Sequence, residues 1–284
     1  MRIEFNGLDL ADESLFNVTS IDGLDSLPDL TIGMAPKPRR HGSWLGGKLA
    51  QKRVITINLQ ILGDPNDDYR TTKPKNALVN ALQIMDVELP LIFEMDYGEQ
   101  PVLVWASVTA LDMPIKQDYS RFREATIEFT CANPMKYSAV AKQRTAAPPR
   151  VPEATPYGSA YGFAYSVTTG LSGAITAEND GNSPAAAIYT MRGPITYPAI
   201  TLVDNVGTRT VRFNLTLKAT DELRVSTDAN RVLLNGADSY GAANGALVAD
   251  LVIRPGETTI TFTGSDTGGP VPPSLSVEWR DANR

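Results

Sequence analysis

The stretch Arg53–Leu62, RVITINLQIL, alternates without interruption: Ile55, Ile57, Leu59 and Ile61 are apolar, and Thr56, Asn58 and Gln60 between them are polar. A period of two puts successive side chains on opposite faces of an extended chain, so the segment predicts a half-buried β-strand and excludes a helix. RFREATIEFTC does the same, with Ala125, Ile127, Phe129 and Cys131 on one face and Glu124, Thr126 and Glu128 on the other. LPLIFEM and PVLVWASVTAL supply two further strands. Among them, DPNDDYRTTKPKNALVNALQIM predicts one helix, with Thr72 as its cap, Pro74 near the first turn, and Leu78, Leu82 and Met85 as a single buried stripe. A lone helix against antiparallel strands makes an α+β domain or a helix-decorated sandwich.

The pattern changes near residue 140. Ala141–Gly170 is rich in Pro, Gly, Ala, Ser and Tyr and lacks periodicity, which predicts a linker, ending in a short strand around Tyr165–Thr168. Eight of the nine lysines and six of the seven methionines precede residue 145. Both sides are nevertheless acidic to the same degree: 16 basic and 19 acidic residues up to Arg144, and 10 and 13 beyond it, leave −3 on each. The expected organisation is an N-terminal domain over 1–144, a Pro/Gly/Tyr-rich linker over 145–170 and a C-terminal domain over 171–284. The last reads as all β. TVRFNLTLK turns Val211, Phe213, Leu215 and Leu217 inward, and SLSVEWR does so with Leu275, Val277 and Trp279. Turn signals such as DGNSP, NVGT, LNGAD and RPGE separate seven to nine short strands, the spacing of a β-sandwich or jelly roll. The fold class is therefore mainly β.

Several function classes drop out. With 42% hydrophobic and 20% charged residues the chain is globular, and no apolar run of about eighteen residues predicts a membrane-spanning helix. The acidic, strand-patterned MRIEFNGLDLADES does not read as a signal peptide. A single cysteine, Cys131, excludes an internal disulfide framework and a cysteine zinc site, and points to folding in a reducing cytoplasm.

The motifs that could carry chemistry are weak. Gly42, Gly47 and Lys48 match the start of a phosphate-binding loop, but Leu49 stands where a magnesium-holding hydroxyl belongs. Two prolines precede the match and a strand follows it, where phosphate binding needs a strand before and a helix after. The match is read as a loop feeding a β-strand. His41 is the sole histidine and sits in a polar loop, and Cys131 lies on the apolar face of its strand, so neither reads as a nucleophile–base pair. DPNDD lacks the Gly and Glu that a calcium loop beginning at Asp64 requires at its sixth and twelfth positions, where Tyr69 and Lys75 stand. Tyr157, Tyr161, Phe163 and Tyr165 suit an aromatic platform for a glycan or a plain linker equally. No catalytic residue, metal or cofactor is expected, and the chain is not read as an enzyme.

One charge feature stands out. Leu30–Gly63 holds no acid, yet Lys37, Arg39, Arg40, Lys48, Lys52 and Arg53 fall there, in a protein whose net charge is −6. Such an arm suits a negative surface, a neighbouring subunit or a polyanion. Without interleaved aromatics it carries no signature for reading bases, which favours the neighbour.

The ordered motifs are similar to those of the distal tail protein family, the siphovirus-type minor tail components of long-tailed bacteriophages. FNVTSIDGLDSLPDLTIGMAPKPRRHGSWLGGKLAQKRVITINLQILG resembles its strand, Gly-Leu turn, basic hairpin arm and return strand. The helix followed by LPLIFEM, then RFREATIEFTCANPMKYS, then NDGNSPAAAIYTMRGPITYPAITL with IRPGETTITFTG, continue the likeness in order. The resemblance implies an N-terminal ring-forming domain that closes as a homo-hexamer, followed by a galectin-like β-sandwich. It implies a ring at the far end of the tail tube that contacts the tube protein and the tail-associated hub or fibre protein, with tape-measure protein and DNA in transit through its lumen. On this reading Arg39, Arg40, His41, Gly42 and Lys48 are subunit-interface residues, Trp44 is an apolar anchor, and Gly42, Gly46 and Gly47 permit the reversal at the arm's tip. A carbohydrate-binding adhesion module that takes a host surface glycan, another tube or hub ring protein, and a hydrolase with an unrecognised carboxylate pair remain as alternatives. The histidine-containing sugar site of true galectins has no counterpart beyond residue 171, where no histidine occurs.

Overall fold

The computed structural model describes residues 1–62, 71–95, 98–115, 122–146, 171–266 and 272–284. They divide into two compact units, Met1–Ala139 with Asn283–Arg284, and Val140–Ala282. Composition placed the change after Arg144. The strand Lys142–Ala146 hydrogen-bonds along Leu275–Trp279, so the chain has already joined the second unit there.

In chain order the first unit holds β1 (Arg2–Phe5), β2 (Leu8–Asp9), β3 (Phe16–Asp22), β4 (Leu30–Pro36), β5 (Ser43–Ala50), β6 (Arg53–Leu62), α1 (Thr72–Ala81), β7 (Leu89–Glu94), β8 (Val102–Asp112), β9 (Phe122–Cys131) and β10 (Lys136–Ser138). All strands but β4 and β5 belong to one sheet, whose main path runs β2-β1-β7-β8-β9-β6-β3. β8 lets that sheet fold over a core. Its first half, Val102–Ala106, pairs with β7; its second half, Ser107–Asp112, pairs with β9, with a bulge between Val108 and Ala110. A bulge bends and twists a strand, so one long strand can serve both halves. The halves meet through Ile3, Phe5, Leu91, Phe93 and Val104 on one side and Ile55, Ile57, Leu59, Ile127 and Phe129 on the other, all at most 1% exposed. Phe5 and Phe129 pack edge to face at 4.9 Å.

β6 alternates buried and half-buried residues along its whole length, as its sequence predicts. Cys131 is fully buried at the end of β9, and burial, with Glu88 nearby, raises its thiol pKa to about 12 although Arg53 opposes the shift. The thiol is a core group. Leu78 and Leu82 fill the core from α1, but the helix stops at Ala81, and Met85 beyond it is 38% exposed. The predicted three-residue stripe is thus two residues long, and the amide of Asn6 donates to the Ala81 carbonyl, one of those that the helix end leaves without an intrahelical partner. Thr71, not Thr72, occupies the cap position and makes no side-chain cap bond. DPNDD lies outside the described residues.

The second unit holds β11 (Lys142–Ala146), β12 (Leu171–Asn179), β13 (Ala187–Arg192), β14 (Ile195–Val203), β15 (Thr208–Phe213), β16 (Thr216–Leu217), β17 (Glu222–Ser226), β18 (Arg231–Leu234), β19 (Ala237–Asp238), β20 (Ala243–Gly245), β21 (Gly256–Asp266) and β22 (Ser274–Trp279). A last short strand, β23 (Ala282–Asn283), follows near the C-terminus. Two six-stranded sheets result, one ordered β11-β22-β13-β17-β18-β19, the other β12-β21-β14-β15-β20 with β16 beside β14. Twelve segments exceed the predicted seven to nine, since β16, β19 and β20 are two or three residues long. TVRFNLTLK is also broken: Val211, Phe213 and Leu217 are buried, but Leu215 falls in the gap between β15 and β16 and is half-buried. Buried Tyr189 donates its hydroxyl to the Leu251 carbonyl, and the Trp279 indole donates to the Glu178 carbonyl. The linker's aromatic residues and the strand expected around Tyr165–Thr168 lie outside the described residues.

Candidate subunit interface

β4 and β5 stand apart. Among the described residues they pair only with each other, and every residue of both except Ala50 is exposed. By alternation and register, Leu30, Ile32 and Met34 share a face with Ala50, Lys48 and Leu45 opposite them, while Ala35 faces Trp44. Met34, Trp44, Leu45 and Leu49 are 62–70% exposed. A two-stranded hairpin is marginal by itself in water, and contiguous exposed apolar side chains mark contact sites. Burying the remaining surface of these four would contribute about 4–8 kcal/mol before ordering costs.

The interface residues named from the sequence all lie on this arm, but not all at its tip. Arg39, Arg40, His41 and Gly42 form the reversal, where the Lys37 amide donates to the Gly42 carbonyl and Gly42 adopts φ +94°. Gly46, Gly47 and Lys48 lie instead inside β5, at a bulge opposite Gly33, so they do not make the turn. The segment read as a loop feeding a strand is itself a strand. Lys37 sits over the Trp44 ring at 4.9 Å, a cation–π contact that leaves the indole residue 63% exposed. Arg39, Arg40, Lys48 and Lys52 make no side-chain hydrogen bond or ion pair among the described residues.

Arg53 corrects the charge reading. It is 1% exposed and contributes nothing to the arm's surface. Its Nε donates to the Pro134 carbonyl at 2.9 Å, and its Nη1 to the carbonyls of Gly23, Leu24 and Ser26 at 2.7–2.9 Å. Burial lowers its pKa, against Cys131 and Asp25. The guanidinium therefore ties the entry of the arm to β6. Gly23 belongs to the same root: it adopts φ +89°, and a β-carbon there would lie 2.0 Å from the Val54 carbonyl oxygen. Sequence reasoning missed both, although Arg53 has the parity of Ile55 and Ile57, which marks it as inward-facing.

On the second unit, an open groove of about 370 Å³ crosses β11, β22, β13 and β17. Gln143, Thr145, Thr190, Arg224, Ser276 and Glu278 line it, with no aromatic ring among the lining residues. It can offer hydrogen bonds to a polar ligand but no stacking platform for a sugar. Among the described residues no group of three or more His, Cys, Asp or Glu is placed to hold a metal ion.

No protein-family model matches the sequence, and no curated protein matches it. Solved structures match in shape. The Dit (gp 19.1) protein of phage SPP1, described as a paradigm of the hub adsorption apparatus in phages infecting Gram-positive hosts, superposes with a TM-score of 0.66 and 14% identity over 99% of this chain and 98% of that one. Two structures of the phage P2 baseplate in its activated conformation, with calcium and with strontium, give TM-scores of 0.46 and 0.47 at 11% identity, too low to carry an argument. They cover 92% and 95% of this chain, and 93% and 92% of theirs. The chain has the fold of the SPP1 Dit protein along nearly its whole length.

Proposed function

We propose that this chain is a structural subunit of a bacteriophage tail tip, a distal tail protein whose first unit closes into a homo-hexameric ring through its basic arm. The observation that carries the reading is the freestanding hairpin: apolar, positively charged, paired only with itself, and rooted through a buried arginine on a unit whose fold the SPP1 Dit protein shares. Ring closure is a head-to-tail contact in which one patch meets a different one, and an exposed arm whose strands pair with no other described strand is suited to that role. The ring would join the tail tube protein to the hub or fibre protein at the distal end of the virion, around a channel for tape-measure protein and DNA. The subunits would be made in the host cytoplasm. A glycan-binding role for the second unit is the weaker reading, since its groove lacks aromatic rings. Negative-stain imaging of the concentrated protein is the test: six-membered rings with an open centre are expected, and solitary particles at every concentration refute it.

A further inference from the structure

The arm's charge has a counterpart in the same unit. Residues 76–115 contain Asp86, Glu88, Glu94, Asp96, Glu99 and Asp112 and not one Lys or Arg, the inverse of 30–63. Within that acidic stretch the turn after α1 is apolar and open: Ile84 is 93% exposed and Val87 66%, with Met85 and Asp86 also exposed between them. Trp105, 41% exposed, is paired in register with Pro90, two residues beyond Glu88. The unit thus presents two exposed apolar patches of opposite sign, one on the arm and one on this turn.

We infer that residues 83–88, with Trp105 beside them, are the surface on a second copy that receives the arm. Ile32, Met34 and Leu45, which share one face of the hairpin with Lys48, would cover Ile84, Val87 and Trp105, and Arg40 and Lys48 would face Asp86. Opposite charge favours this pairing over arm-to-arm or turn-to-turn contact, each of which brings like charges together. With seven residues in β4 and about 3.3 Å per residue, the arm extends about 23 Å, enough to cross onto an adjoining subunit. The inference rests on the ring reading, and its test separates the two.

Cys131 is the only cysteine and is buried, so it leaves engineered thiols free to report. The full-length double variant Leu45→Cys/Ile84→Cys, concentrated under mild oxidation, should give a ladder of disulfide-linked oligomers on non-reducing gels. Each single variant should give no ladder. Assemblies seen by light scattering without a ladder would overturn the receiving surface and leave the ring intact. Absence of assembly for every variant and for the parent would overturn both. A second readout uses charge: the Arg40→Asp/Lys48→Asp and Asp86→Lys variants should each fail to assemble alone, and mixing the two should restore it. Continued failure on mixing would contradict the pairing.

Discussion

Replacing Arg53 with Met separates a structural arginine from a surface charge. The change keeps a long apolar stem but removes four hydrogen-bond contacts at 2.7–2.9 Å, shared among the one Nε and two Nη1 protons. The Leu24 carbonyl bond is fully buried, so its acceptor is left dry, at about 1–3 kcal/mol; the other three are part-buried and partly rehydrate, at about 0.5–1.5 kcal/mol each. Relief of the desolvated guanidinium offsets some of this, because no carboxylate among the described residues pairs with it directly. The expected net loss is about 3 kcal/mol in the first unit. A surface arginine would cost less than about 0.5 kcal/mol. Hydrogen exchange by mass spectrometry resolves the two, since 3 kcal/mol speeds exchange through global opening of the unit about 150-fold. Peptides from β6 and β9 should show that acceleration, while peptides from β13 and β22 keep their rates. Arg53→Lys should recover only part of the protection, because an ammonium cannot span the same fork of acceptors. Exchange of β6 within threefold of the parent would refute the clamp.

Cys131 should resist thiol reagents at pH 8 in the folded protein and react at once in denaturant, because burial holds its pKa at about 12; rapid native labelling would contradict its place in the core. Burial opposes ionisation of Asp204, but the amides of Val206 and Gly207 and the guanidiniums of Arg209 and Arg254 outweigh it and lower its pKa. A depressed folded pKa contributes stability above the unfolded value near 4 that is lost as pH falls through the folded one. Second-unit melting should therefore drop below about pH 4. Asp204→Asn should flatten that dependence and cost about 3 kcal/mol at pH 7, because it leaves nearly buried Arg209 with only the Asp250 and Val252 carbonyls and no anionic partner among the described residues. Equal pH profiles for the parent and this variant in calorimetry would sink the assignment.

Strands with one buried face were legible in the sequence because burial imposes the alternation directly. β6, β9 and β22 match it residue by residue. The helix was legible in kind but not in length, since the partner that takes up its terminal Ala81 carbonyl is Asn6, seventy-five residues away. β4 and β5 bury no face, so no pattern announces them; Gly46 and Gly47 looked like a turn and are a bulge. The residues expected at the interface do share one element, yet counting charge alone enlisted Arg53, which the core had taken. Its four carbonyl partners come from residues 23–26 and 134, a convergence that only the fold creates.

Sedimentation velocity on the full chain beside a variant in which a Gly-Ser turn replaces residues 31–49 bears on the arm most directly. With both folded by circular dichroism, the parent should shift toward a hexamer as concentration rises and the shortened chain should remain monomeric. Identical sedimentation of the two, whether both assemble or neither does, would contradict an arm that joins one copy to the next.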